Sequence, residues 1–448
     1  MQSVYEWGGV IVKRYISLLL VLTMLLIGGC GMNPEKKITE EKDTGVTEES
    51  TKKEDKYTQA LKAAGIETPI VRVPYDACFE GKSFPNGKLP SVDEGERSAD
   101  NAFSLDVRGT DLTGIDLNGS GESLLNFSTF DTETKWPKGA EIIYDYKKIF
   151  EYGKDPGLGV KKLHEAGITG KGVGIGIIDD SLAVNHEEIK DRLRYYGEIG
   201  VPDNTASMHG AAVFSIAAGK TVGVAPEADL YYIGPTCGTI NGTQVDYDFT
   251  NYAEAIERFL KINEYLPEEN KIRVISISAG WMEEDKGYDK IMGAVKHANE
   301  EGVLVVSSSI DKTNGYDFDG LGRNPLSDPN ELSGYRYGSF YIDGLCKNYD
   351  KYADNIKNTL FVPMDSRTTA SCTGNESYAY YAIGGWSWSI PYIAGVYAMA
   401  CQVNPDITYD EFWKTSLDTA DTVDFQYKDK EYSIPKIICP EKIMDAIK

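Results

Sequence analysis

Gly172-Val173-Gly174-Ile175-Gly176-Ile177-Ile178-Asp179-Asp180-Ser181 is an apolar run that ends in two carboxylates and a hydroxyl. β-branched residues spaced by glycine favour a buried strand, and the spacing predicts one over 173–178. A strand that stops on acidic side chains places them at its carboxyl end, where strands end and helices begin and a chain can build a reactive site.

The chain on either side keeps the same rhythm. Small apolar residues over 209–219 read as a helix, 229–233 as a strand and 249–260 as an amphipathic helix. A strand at 274–277, a helix at 288–300 and a strand at 303–306 follow. A helix at 389–401 carries Pro391 in its first turn, where a missing N–H does no harm. Alternating strands and helices predict an α/β fold in three layers, a mostly parallel central sheet with helices on both faces. Between Asp311 and Trp386 the chain is rich in Tyr, Gly, Asn and Asp, and reads as long loops that shape a cleft.

The composition narrows the function. Of 448 residues, 46 are basic and 69 acidic, for a net charge of −23, which repels phosphate backbones and excludes nucleic-acid binding as the main activity. With 41% hydrophobic residues the chain can bury a sizeable core.

Three segments carry residues with reactive side chains. The first is the strand that ends at Asp179 and Asp180. The second, His209-Gly210-Ala211-Ala212-Val213, opens a helix. The third, Gly385-Trp386-Ser387-Trp388-Ser389-Ile390-Pro391-Tyr392-Ile393-Ala394-Gly395, sets a serine in a turn before a helix. An Asp, a His and a Ser brought together can act as orienting group, base and nucleophile.

From about residue 145 to 445 the sequence resembles the subtilisin-like serine proteases. The order Asp, His, Ser is theirs, and the Gly172–Asp179 stretch resembles their aspartate motif. Val222-Gly223-Val224-Ala225-Pro226-Glu227-Ala228-Asp229-Leu230 resembles the segment after their histidine helix. Ser276-Ile277-Ser278-Ala279-Gly280 resembles one wall of their first specificity pocket, and Pro391 with Ala394-Gly395 resembles the helix after their nucleophile. The resemblance implies Ser387 as nucleophile, His209 as general base and Asp179 as the carboxylate that fixes the imidazole. Asp180 is the rival for that last role. Asp179 is preferred because it aligns with the motif, and neighbouring strand residues point to opposite faces. Of the four histidines, His186 has a structural counterpart in the family, while His164 and His297 read as surface residues.

The implied function is extracellular endopeptidase action on peptides or proteins through an acyl-enzyme. Substrate would bind along Ser278, Ala279 and Gly280, opposite Ser308-Ser309-Ile310, in a small pocket suited to an apolar or modest side chain. Several positions depart from the family pattern. Where the family carries an Asn that stabilises the oxyanion, this chain has Asp311, which donates a hydrogen bond only when protonated. Two tryptophans flank Ser387. The competing reading is a catalytically weak or inactive pseudoprotease that binds proteins at the cell surface. No cofactor is required. The family allows a structural calcium ion, but Asp317 and Asp319-Gly320 match only a fragment of a calcium loop.

The N-terminus is read as four parts of one arrangement. Lys13 and Arg14 precede an apolar run over 16–27, followed by Gly28-Gly29-Cys30, and the set resembles a bacterial lipoprotein signal. Residues 1–30 are then a signal peptide, with synthesis expected to start at Val12, and Cys30 would carry a lipid on the outer face of the cell membrane. A charged tether covers 31–56, a region of uncertain fold and propeptide-like position covers 57–140, and the peptidase domain covers 141–448. Within 57–140, Asp106-Val107, Asp111-Leu112 and Asp116-Leu117 recur every five residues, the pattern of a small coil. The six cysteines besides Cys30 read equally as three bridges or as free buried thiols.

Overall fold

The computed structural model describes residues 55–66, 84, 86–92, 105–201, 206–241, 244–309 and 311–448. Cys30, Cys78, the signal and the tether up to residue 54 lie outside the described residues.

At the centre is a five-stranded parallel sheet in the order Leu193–Ile199, Asp229–Pro235, Gly174–Ile178, Ile272–Ile277, Leu304–Ser307. Side chains along each strand alternate between two cores. Ile175, Ile177, Leu230, Tyr232, Leu304 and Val306 face the helices Met208–Ala218 and Trp386–Val403. Ile178, Tyr231, Ile233, Val303 and Val305 face the helices Thr250–Tyr265 and Tyr288–Glu300. This period-two division is what puts helices on both faces. The first strand of this sheet in chain order, Gly174–Ile178, sits in its middle, and the connections from it and from its neighbour Asp229–Pro235 leave in opposite directions. The crevice at its carboxyl end is therefore a topological switch point.

The region from Asp311 to Trp386 is not loop. It holds the strands Phe318–Arg323, Tyr335–Tyr337, Leu360–Pro363, Arg367–Ala370 and Tyr378–Tyr381. The first three join Lys430–Ile437 and Asp421–Tyr427 in a second five-stranded sheet. Its tyrosines are buried rather than displayed: Tyr337, Tyr380 and Tyr381 are among the largest fully buried side chains. Polar hydroxyls and glycines gave this stretch the composition of loops, while the aromatic rings supply a core.

The remaining two strands pair with each other, and Tyr378–Tyr381 also pairs with the N-terminal segment to complete a four-stranded sheet. Ser128–Asp131 runs antiparallel to Tyr378–Tyr381 and parallel to Leu105–Asp106. The five-residue repeat forms successive turns, with Val107, Leu112 and Leu117 buried. Thr110, Ile115 and Ser120 each donate an N–H to the carbonyl of one of those residues, at 3.1, 2.9 and 3.0 Å. Asp106, Asp111 and Asp116 each accept the N–H two residues on, the geometry that suits Asp to such turns. Three turns cannot bury a core alone, and here they share the core of the central sheet. Further upstream, Asp55 caps the helix Lys56–Ala63, which buries Ala60 and Leu61 in the other core. Tyr57 donates its hydroxyl to Asp229 at 2.6 Å beneath the Arg194 guanidinium.

The five described cysteines, Cys237, Cys346, Cys372, Cys401 and Cys439, are free thiols. Burial pushes Cys237 and Cys346 up to about 12, so both stay protonated and unreactive near neutral pH. No helix among the described residues is long and apolar enough to cross a membrane.

Candidate active site

Asp179 follows directly on the strand Gly174–Ile178, at the switch point. His209 is the second residue of the helix Met208–Ala218, which Ser207 caps by accepting the His209 N–H at 3.1 Å. The two side chains meet, with Asp179 Oδ1 2.6 Å from His209 Nδ1. Gly210 permits this approach, because a Cβ there would lie 2.5 Å from the Tyr232 hydroxyl and 2.7 Å from the Asp180 carbonyl.

Asp180 points elsewhere. Its Oδ2 accepts the Ser207 hydroxyl at 2.9 Å, so it supports the cap of the histidine helix. Burial, then the charge of Asp179, raises its pKa above the ordinary carboxylate value. Burial alone would lower the pKa of His209. The charge of Asp179, its hydrogen bond and the charge of Asp180 outweigh this and hold the imidazole above its ordinary 6.5.

Ser387 is the second residue of the helix Trp386–Val403, which starts three residues before the predicted 389. Pro391 is therefore inside the helix rather than in its first turn. It removes the N–H that would bond the Ser387 carbonyl four residues earlier. The Ser278 hydroxyl takes that carbonyl instead, at 3.0 Å. The broken helical bond is thus replaced by a tie from the Ser387 turn to the end of the strand Ile272–Ile277. Ser387 Oγ in turn lies 3.5 Å from the Ser278 carbonyl. Gly395 lets this helix close on the histidine helix, since a Cβ there would lie 2.6 Å from Val224 Cβ and 2.9 Å from the Ala217 carbonyl.

Asp179, His209 and Ser387 are 5%, 4% and 7% exposed, so the site is largely shielded from water. Trp388 packs edge-on against His209, ring centroids 5.6 Å apart. His209 Nε2 is buried and makes no hydrogen bond.

Ser278, Ala279 and Gly280 lie beside the segment 307–309, with Ser308 N–H donating to the Ala279 carbonyl at 3.0 Å. Ser309 Oγ accepts the Trp281 N–H at 2.8 Å. The short helix Asp311–Asn314 begins just beyond; Ile310 and the Asp311 side chain lie outside what is described.

Other expectations resolve differently. Asp319 lies in the strand Phe318–Arg323 and accepts the Trp386 indole N–H at 2.7 Å. Asp317 accepts the Thr359 hydroxyl at 2.6 Å. His164 is half-buried and bonds the Val224 carbonyl at 2.7 Å, so it is an internal strut rather than a surface residue. His186 is buried and bonds the Ser377 carbonyl at 2.9 Å. His297 is half-exposed against Glu257. Among the described residues, Asp179, Asp180 and His209 form the group of His, Cys, Asp or Glu close enough to share a metal ion, and Asp179 is already committed to the imidazole.

Sequence reasoning missed three supports of the site. Ser207 was legible as a residue of the N-capping type before a helix. Asp319 and Asp365 were not. Asp365 accepts the Gly384 N–H at 2.9 Å and the Ser339 hydroxyl at 2.6 Å. Both carboxylates thus grip the turn before Ser387 from 19 or more residues away, which no local signal reports.

The sequence model of the subtilase family matches residues 170–433. This chain belongs to the subtilase family. It is 24% identical to a protein named "probable subtilase-type serine protease" in Deinococcus radiodurans, over 59% of this chain and 38% of that one. It is 26% identical to alkaline protease 1 of Aspergillus flavus, over 51% of each chain. The chain thus spans about half or less of the length of these relatives. The solved structures it is similar to include the prenylagaramide maturation protease PagA, with 16% identity, a TM-score of 0.45, and 65% and 98% of the two chains covered. A cold-adapted subtilisin-like serine proteinase is another, with 19% identity, a TM-score of 0.35, and 56% and 83% covered.

Proposed function

We propose that this subtilase is a serine endopeptidase that forms an acyl-enzyme on Ser387 and is held at the outer face of the cell membrane by a lipid on Cys30. The observation that carries the catalytic reading is the buried 2.6 Å bond between Asp179 and His209. It fixes the Nδ1–H tautomer and leaves Nε2 with a lone pair for the proton of Ser387. Ser387 Oγ then adds to the substrate carbonyl. His209 passes the proton to the leaving amine, and water repeats the cycle on the ester. The first turn of the helix Trp386–Val403 leaves backbone N–H groups without i−4 partners, and these favour the negative charge that develops on the carbonyl oxygen. The pocket by Ser278, Ala279 and Gly280 would take an apolar or modest side chain, and neither metal nor cofactor enters a step.

The deciding experiment treats the protein with a fluorophosphonate probe across a pH series and locates the adduct by mass spectrometry. Labelling at Ser387, absent in Ser387→Ala and unaffected by a chelator, is the expected result. A pseudoprotease is the second reading, favoured by the position of Ser387 Oγ near the Ser278 carbonyl rather than on His209 Nε2. No labelling at any pH would establish it, although such bonds commonly tighten only around substrate. Asp311 supports a narrow pH optimum, and Asp311→Asn is expected to raise the rate and extend the alkaline limb. The membrane reading predicts incorporation of labelled palmitate that vanishes in Cys30→Ser.

A further inference from the structure

Tryptophan is a hydrogen-bond donor that normally finds an acceptor when buried. Two indoles near the site obey this: Trp386 donates to Asp319 at 2.7 Å and Trp281 to Met292 Sδ at 3.1 Å. Trp388 does not. It is 1% exposed, and its Nε1 is buried with no hydrogen-bond partner. It directly follows Ser387 in the first turn of the helix, and its ring meets His209, whose Nε2 is likewise buried and unbonded. The indole also meets Tyr381, edge-on at 5.3 Å, and Tyr381 accepts from Arg108 at 3.3 Å. A buried donor without an acceptor is costly, and a catalytic role is one reason for such a group to persist.

We propose that the Trp388 indole N–H is a catalytic hydrogen-bond donor to the oxyanion, working beside Asp311, which donates only when protonated. The inference rests on Ser387 acting as nucleophile. When Ser387 Oγ bonds to the substrate carbon, the carbonyl π pair moves to oxygen and the serine proton moves to His209 Nε2. Trp388 Nε1–H donates to the oxygen that gains the charge and keeps its own proton. On collapse the pair returns to the carbon, the C–N bond breaks, and His209 hands the proton to the amine. The donor comes from a helix whose position is already fixed, so no reorganisation accompanies the charge.

Trp388→Phe removes the N–H and keeps a ring against His209 and Tyr381. With the full-length chain in detergent, the rate constant for fluorophosphonate labelling of Ser387 is expected to fall roughly 10²-fold, as for loss of one oxyanion donor. Its pH profile should keep its shape, because the Asp179–His209 pair is untouched. Asp311→Asn in the Trp388→Phe background should recover a large part of the loss. Labelling of Trp388→Phe at the parent rate overturns the inference and leaves the nucleophile standing. Absence of labelling in the parent overturns both. If the variant does not fold, the parent enzyme labelled with ¹⁵N at its indoles gives the answer. Phosphonylation of Ser387 should move one indole N–H resonance downfield, and a set of unmoved resonances overturns the proposal.

Discussion

The half of this site around His209, the proposed base, and the half around Ser387, the proposed nucleophile, are built in opposite ways. Asp179, Asp180, Ser207 and His209 lie within 31 consecutive positions, and each makes a hydrogen bond to another member of the group. The nucleophile turn, 384–388, is held from a distance: Asp365 takes the Gly384 N–H, Asp319 the Trp386 indole and Ser278 the Ser387 carbonyl. A motif in one stretch of chain can encode the first half. The second depends on strands folded from the Tyr- and Asp-rich region, so its precision is a tertiary property.

The largest expected effect removes the contrast altogether. Ser387→Ala and His209→Ala should each cut turnover by roughly 10⁶, and the double variant should lose little more, because the two act as one unit. Steady-state assays on a generic protein substrate measure this, and additive losses would show that they do not work together.

Within the base half, Asp179→Asn should lower kcat by about 10⁴ through loss of the correct tautomer. Similar losses at Asp179 and Asp180 would overturn the assignment of Asp179, since only Asp179 reaches the imidazole.

The nucleophile half should yield more gradually. Trp386→Phe deletes the indole N–H that Asp319 accepts and leaves a buried carboxylate short of a donor. A stability loss of about 1–3 kcal/mol is expected in denaturant titrations. Because the turn carries Ser387, kcat should fall by about tenfold, ~1.4 kcal/mol, with KM little changed. Asp319→Asn keeps an acceptor oxygen and should cost less. A change confined to KM would mean that the indole contacts substrate instead of holding the turn.

Legibility follows the same division. The strand at 174–178, the helix at 288–300 and the pairing of Asp179 with His209 were readable because alternation, helical spacing and a short motif are local signals. The start of the nucleophile helix was misplaced because Pro391 reads as a first-turn residue, and only the Ser278 hydroxyl explains how it sits deeper. The region after Asp311 was misread because tyrosine and glycine serve both turns and a packed aromatic core. Strand Leu193–Ile199 was missed for a similar reason. Its Arg, Tyr and Glu residues give it a polar texture, while Tyr195 and Tyr196 are buried on opposite faces of the sheet.

The smallest effect gives the sharpest test of how the base half is tuned. His209 acts as base only when neutral, and it is held above its ordinary 6.5, so activity should be lost as pH falls through that raised value. Asp179 is the main cause, and the charge of Asp180 adds to it. Asp180→Asn keeps an oxygen for the Ser207 hydroxyl, so the cap and the position of His209 persist, while one nearby negative charge is removed. The protonated imidazole loses part of its stabilisation, and the acid limb of kcat/KM should move to lower pH. The plateau kcat should change by less than about threefold, ~0.65 kcal/mol. Ser207→Ala provides the contrast: it weakens the cap without removing charge, so it should lower stability by about 1 kcal/mol and leave the limb in place. If both variants move the limb equally, Asp180 acts on His209 through the cap and not through its charge.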